Sequence, residues 1–316
     1  MTRAVACIGT GTVGSAWAAV YARAGYQVRL FDAMPGTVED FALPRIGRTL
    51  ADLAAARPTG ESVESILARI TPSETLAEAV DGVEAVQESV REDLGIKRAL
   101  FAEIGAAVPE DALLMSSTSA LPGSQFLRDV PNPGRALVAH PVNPPSHIPL
   151  VELCGTGETT EGTIAKARGF FEAAGMEPVV LNREIEGFLL NRLQYTLVAE
   201  AMHLVGEGYC SPEDIDRVLT SGLALRWASI GPFMTAHLNA REGFQGFVDQ
   251  LGGMMKTMGR EAKTAYDWPA ELAGEIHDRM AAQQPVETIP QAQAWRDGRI
   301  LKTRALQDSD KAPGRR

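Results

Sequence analysis

Residues 4–32 read AVACIGTGTVGSAWAAVYARAGYQVRLFD. A short apolar run ends in glycine, an alanine-rich segment is stopped by Gly25, and an alternating run closes on an aspartate. This patterning predicts a strand over 4–9, a helix over 12–24 and a second strand over 26–32. Between the first strand and the helix sits Gly9-Thr-Gly-Thr-Val-Gly14, a G-x-G-x-x-G. Alone the pattern is weak, because glycine-rich turns are common. Placed after a strand and at the opening of a helix, it has the context its mechanism demands. Gly9 allows the tight turn, Gly11 lets the backbone approach a pyrophosphate, and Gly14 lets helix and strand pack closely. Thr12 and Val13 open the helix, whose free N–H groups face the phosphates. Asp32 lies 18 residues past Gly14, where it can accept from an adenosine ribose. Its charge repels a 2′-phosphate, so NAD is favoured over NADP.

The alternation continues outward from this unit. Helical stretches are expected at 35–57, 61–69, 94–107 and 160–174. Strands are expected at 85–90, 112–117, 136–142, 150–155 and 177–182. Strands alternating with helices imply a mostly parallel sheet covered on both faces, so the fold class is α/β, Rossmann-type. The rhythm changes near residue 186. GFLLNRLQYTLVAEAMHLVGEG (187–208) reads as a long, largely buried helix, Ser211-Pro-Glu-Asp as a capped helix start, and 234–258 and 269–283 as further helices. An NAD-binding domain over 1–185 and an all-α domain over 186–316 are therefore expected, the latter ending in a mobile tail, QDSDKAPGRR. Two domains suit a chain of 316 residues.

Composition narrows the partners. A net charge of −10 argues against nucleic acid, whose phosphates need clustered lysine and arginine. No run of 18 uncharged apolar residues occurs, so no membrane span is expected. Cys7, Cys154 and Cys210 are far apart and odd in number, which favours a reducing compartment and offers no metal-ligand spacing. With no charged-then-apolar leader before the strand at Ala4, a cytoplasmic, soluble protein is the expectation.

A dinucleotide site leaves the reaction open. Hydride transfer to or from a carbonyl needs a proton donor or acceptor at the oxygen, and imidazole titrates near working pH. A carboxylate partner fixes its tautomer and steadies the imidazolium. His140 ends a strand-like run, in HPVNPPSHIPLVELCG (140–155), and Glu152 follows among aliphatics where an unpaired charge is costly. Spacing alone equally allows a loop histidine and a strand glutamate turned to solvent. His147 lines the proline loop, where substrate choice could be made at Ser146-His147. His203 and His277 sit in helical patterns as structural or surface residues, and His237 is a weaker candidate to face the site.

These residues together resemble the 3-hydroxyacyl-CoA dehydrogenase family over nearly the whole chain. QESVREDLGIK (87–97) is similar to the stretch in which a glutamate and a lysine contact the cofactor, which implies Glu92 and Lys97 in those roles. SSTSAL (116–121) is similar to N-T-S-S-L, with Ser117 replacing the asparagine and Ser119 on the substrate-contacting serine. HPVNPPSHIPLVE resembles the segment carrying the His–Glu pair, and GFLLNRL (187–193) resembles G-F-x-x-N-R, placing Asn191 beside substrate. With Ser119, His140, Glu152 and Asn191 matched in order, the pair becomes the favoured reading.

The likeness is closest to the L-gulonate 3-dehydrogenase and lambda-crystallin branch, particularly in GLALRWASIGPFMTAHLNA (222–240), and L-carnitine dehydrogenases share Leu-Arg-Trp. Arg226 suits a free carboxylate, which a guanidinium grips with two hydrogen bonds; a surface arginine between helices is the competing reading. The resemblance implies NAD-dependent oxidation of a small 3-hydroxy acid in the cleft between the domains. It requires no metal and implies a homodimer through the helical domain. The alternatives are a 3-hydroxyacyl-CoA (3-hydroxybutyryl-CoA) dehydrogenase, an L-carnitine dehydrogenase, and a crystallin-like NAD-binding protein without chemistry.

Overall fold

The computed structural model of the protein describes residues 3–263 and 269–309. Contacts divide them into two compact units: one runs to Asn191 and takes back Asp297–Asp308, and the other holds Arg192–Arg296. The first unit is built on eight strands in the order β3-β2-β1-β4-β5-β6-β7-β8. They are β1 (Ala4–Ile8), β2 (Gln27–Phe31), β3 (Ile70–Pro72), β4 (Ala85–Glu88), β5 (Leu113–Ser116), β6 (Ala136–Pro141), β7 (Leu150–Gly155) and β8 (Glu177–Leu181). Every neighbouring pair is parallel except β6 with β7. That exception follows from the eight-residue connection 142–149, which is too short for a crossover to a parallel neighbour.

Helices α1 (Thr12–Arg23), α2 (Leu43–Ala56), α3 (Val63–Leu67), α4 (Leu76–Val80), α5 (Leu94–Ala107) and α6 (Glu161–Ala173) complete this unit's alternation. Two apolar clusters fill the first unit. One joins Trp17 and Tyr21 of α1 to Phe170 and Phe171 of α6, and Trp17 lies 5.4 Å from Phe171 between ring centroids. The other gathers Phe101, Ile104, Phe126 and Phe188. Starts of α3, α4, α5 and α6 are capped by Ser62, Thr75, Asp93 and Thr160, whose side-chain oxygens each accept an N–H from the first turn. The periodic pattern misses β3 and α4. The first is a three-residue edge strand ending in proline, and the second is only five residues long.

The helical part begins with α7 (Phe188–Gly206) and continues through α8 (Pro212–Val218), α9 (Ala224–Trp227), α10 (Pro232–Leu238), α11 (Gly243–Glu261), α12 (Ala270–Gln283) and α13 (Ile289–Ser309). Ser211 caps α8 as its sequence suggests, accepting from Asp214 N at 3.1 Å. The expected single helix over 234–258 is two, because the chain turns at Gly243, which has φ +70°. Helix α7 is not largely buried: Leu193 is 72% exposed, and Phe188, Ala199 and Met202 are its buried apolar residues. The apolar stripe is present, but among the described residues much of it, Leu189 and Leu197 included, stays exposed. The tail expected to be mobile enters α13 up to Ser309, and its remaining residues lie outside those described. Among the described residues, no helix is long and apolar enough to cross a membrane.

Candidate active site

The glycine loop has the shape its sequence implies. Gly9 adopts φ +84°, and a Cβ there would come within 2.8 Å of the Ser89 and Val90 backbone. A Cβ on Gly14 would fall 1.9 Å from the Gly9 carbonyl oxygen, so α1 packs on the loop only without a side chain. Gly11 faces open space, with nothing within 4 Å of where its Cβ would stand. Gly11 and Thr12 are exposed and Val13 is half-buried, and no side chain caps the N-terminus of α1. The first turn therefore presents its N–H groups outward, the arrangement that holds a pyrophosphate. Asp32 braces the loop from β2: its Oδ2 accepts from Thr10 N at 2.8 Å and from the Thr10 hydroxyl at 3.0 Å. These residues fit NAD, with Gly11 leaving the close approach a dinucleotide needs.

His140 and Glu152 face each other in the antiparallel β6–β7 pair. Both are buried, and His140 Nδ1 stands 2.8 Å from Glu152 Oε2. The other carboxylate oxygen, Oε1, accepts from Leu189 N at 2.9 Å and Leu190 N at 3.1 Å. One carboxylate thus orients the imidazole and caps the start of α7, where a negative charge is favoured. The turn into α7 passes through Gly187 at φ +74° and Phe188 at φ +50°. A left-handed phenylalanine is costly. It is held there by complete burial, with its ring 5.0 Å from that of His140.

One residue further along α7, Asn191 donates through Nδ2 to the Ser119 carbonyl at 2.8 Å. Glu92 holds the same loop from the other side, accepting from the Thr118 hydroxyl at 2.5 Å, Ser119 N at 3.0 Å and Ala120 N at 3.2 Å. Burial pushes the Glu92 carboxyl up, but the Thr118 hydroxyl, the Lys97 charge and the Ser119 amide outweigh it and hold it below the usual carboxylate range. Lys97 is itself fully buried. Its ammonium bonds both oxygens of Glu88, at 2.8 and 3.0 Å, and stands 3.2 Å from Glu92. Glu88 also accepts from Ser116 Oγ at 2.6 Å and Val90 N at 2.7 Å.

Sequence reasoning overlooked Glu88, although a glutamate in a fully buried strand was itself a signal that a cation must be near. It also overlooked the cluster in which Ser117 Oγ accepts from Trp17 Nε1 at 3.1 Å and Gln87 Nε2 at 2.8 Å, with Ser89 Oγ also 2.8 Å away. Ser146 and His147 are buried and bonded to each other, Oγ to Nδ1 at 2.9 Å. His237 Nδ1 accepts from Phe244 N at 3.1 Å in the second unit, and Arg226 lies on α9 there. In the first unit the start of α7 ties two hydrogen-bonded pairs together, His140–Glu152 through the Leu189 and Leu190 amides and Ser119–Asn191 through the next residue.

The model of the 3-hydroxyacyl-CoA dehydrogenase NAD-binding domain matches residues 4–185, and that of the C-terminal domain of the same enzymes matches 187–277. The chain belongs to the 3-hydroxyacyl-CoA dehydrogenase family. A lambda-crystallin homolog from Bos taurus is 39% identical over 305 residues, covering 96% of this chain and 95% of that protein. An L-carnitine dehydrogenase from Streptomyces coelicolor is 38% identical over 286 residues, 89% of this chain and 86% of the relative. Among solved structures, the 5-formyl-3-hydroxy-2-methylpyridine 4-carboxylic acid 5-dehydrogenase, an NAD+-dependent dismutase, superposes with a TM-score of 0.83 at 25% identity, covering 98% of this chain and all of that one. Members of this family are NAD-dependent oxidoreductases acting on CH–OH groups, and NAD is the cofactor here.

Proposed function

We propose that the protein oxidises the 3-hydroxyl of a small free hydroxy acid, L-gulonate-like, to the 3-keto acid. The observation that carries the chemistry is the buried His140–Glu152 pair at 2.8 Å, with the second Glu152 oxygen occupied by the start of α7. Bound NAD supplies the acceptor for the hydride. His140 takes the hydroxyl proton on Nε2, because Nδ1 faces the carboxylate and carries the fixed proton. Glu152 keeps that tautomer and steadies the imidazolium. Ser119 and Asn191 hydrogen-bond the reacting oxygen, and Glu92 and Asn191 keep the Ser119 backbone in place for it. In reduction, His140 returns the proton to the forming alkoxide.

The choice of a free acid over a CoA thioester rests on likeness to the lambda-crystallin homologs and to the L-carnitine dehydrogenases, the latter named for a free 3-hydroxy acid. A 3-hydroxybutyryl-CoA dehydrogenase of Escherichia coli has a TM-score of 0.64 at 26% identity, so the thioester reading is the alternative. Arg226 is proposed to grip the substrate carboxylate. A steady-state screen of L-gulonate, L-carnitine, 3-hydroxybutyrate and acetoacetyl-CoA, read by NADH absorbance, separates the two readings. Arg226→Ala is expected to raise KM for the free acid by about tenfold or more, in line with losing a charge-assisted pair of ~1.5–3 kcal/mol. An unchanged KM would remove Arg226 from the site. Turnover of acetoacetyl-CoA alone would overturn the free-acid reading.

A homodimer through the helical domain is part of the proposal. Leu193, Tyr209, Leu225 and Phe233 are each more than 60% exposed, and α11 adds exposed Met254 and Met258. So many exposed large apolar side chains in the helical part suit an association face. Light scattering is expected to give a particle of two chains at micromolar concentration, and a monomer there contradicts the assignment. The three free cysteines fit a reducing, cytoplasmic setting.

A further inference from the structure

A cavity of about 230 Å³ opens in the first unit, lined by Arg23 in the last turn of α1, Arg57 just beyond α2, and Arg304 of α13. The glycine loop meets the other end of α1, a helix of 12 residues and thus roughly 18 Å long. Pro145 and Ser146 of the β6–β7 connection form part of the wall.

The charges here do not balance. Arg57 pairs with Asp308, and Arg23 donates to the Arg57 carbonyl oxygen. Among the described residues, Arg304 donates to two carbonyls, His147 O at 3.4 Å and Gly175 O at 3.2 Å, neither of which brings a full charge. Burial pushes the Arg304 guanidinium down to about 10, Arg57 and Arg23 push the same way, and Asp308 and Glu177 only partly oppose them. Three guanidiniums thus feel one another around a space large enough for a small ligand. Carbonyls just past α2 and α6 take some of their hydrogen bonds, and a purely capping role would need no cavity.

We propose that this cavity is a binding site for a phosphate-type oxyanion, either free or as a small phosphate monoester. A tetrahedral dianion supplies the missing charge and enough acceptor oxygens for several planar forks at once, which a single carboxylate does not. The site is separate from the pyrophosphate cradle, and it touches the loop that runs from His140 to Glu152. Occupancy therefore braces that loop through Ser146 and through Arg304 on His147 O.

Titration calorimetry on the full chain tests this, at constant ionic strength and with NADH saturating so that the pyrophosphate cradle is filled. Inorganic phosphate, glucose 6-phosphate and chloride are the three arms. The expected result is one-site binding of at least one phosphate species, absent with chloride, and weakened about tenfold or more in both Arg23→Gln and Arg304→Gln. Preference for inorganic phosphate or for the ester then tells which source the site serves. NADH affinity and the circular dichroism melt report whether each variant remains folded. Two variants guard against the loss of α13 docking in one of them. No phosphate binding in the NADH-saturated protein overturns the proposal. So does binding unaffected by the Arg23 substitution, or binding displaced by a 3-hydroxy acid substrate.

Discussion

Replacing His140 with alanine is expected to lower turnover by about 10²–10⁴ while NADH still binds. The imidazole is the proposed proton acceptor in the first unit, and the glycine loop that would hold the cofactor does not depend on it. Glu152→Gln is the sharper test. A glutamine keeps the shape and can still accept from Leu189 N and Leu190 N through its carbonyl oxygen, so the start of α7 stays capped. Its NH2 group then faces His140 Nδ1, which must become the acceptor. The ring proton moves to Nε2, the atom needed as base. A loss on the order of 10²–10⁴ is expected in kcat, with KM and the unfolding midpoint little changed, as for a carboxylate that fixes a tautomer. Wild-type turnover in either variant removes the pair from the chemistry.

Lys97→Met is expected to destabilise the protein by about 3–5 kcal/mol, the usual result of leaving one member of a buried ion pair alone. Glu88 has no exposed surface and would keep only Ser116 Oγ and Val90 N as partners. Its carboxylate is then buried without the cation that balances it. Thermal melts check the loss. The double substitution Glu88→Gln, Lys97→Met is expected to regain much of it. The single variant should also raise KM, because Lys97 is one of the groups that keep Glu92 ionised under the Ser119 loop. A melt within 1 °C of wild type would show that the pair contributes nothing.

These two expectations draw unequally on the sequence. Chain order and resemblance point to the His–Glu pair, and the structure supplies the bond that spacing leaves open. Resemblance implies that Lys97 contacts the cofactor, and its immediate partners in the protein are Glu88 and Glu92. Any role of Lys97 toward NAD is therefore a proposal that runs through Glu92. A linear pattern shows a lysine near acidic residues; it does not show which way a helix turns its ammonium. Helix α13 escaped for another reason. Its residues are mostly polar, and it is anchored by buried Leu301 in the first unit, a contact with no periodic signature.

What the sequence by itself determined is local. The strand, glycine loop and helix of 4–32, the cap at Ser211, and the change to helices near residue 186 depend on backbone freedom and side-chain period over short spans. What only the tertiary structure decided is pairing. The antiparallel register of β6 and β7 sets His140 opposite Glu152, and a slip of one residue would turn one of them to the other face of the sheet. The same register lets the second Glu152 oxygen reach Leu189 and Leu190, 37 and 38 residues away in the chain. It is a long-range choice, made by the burial of both sheet faces at once, and no short stretch contains it.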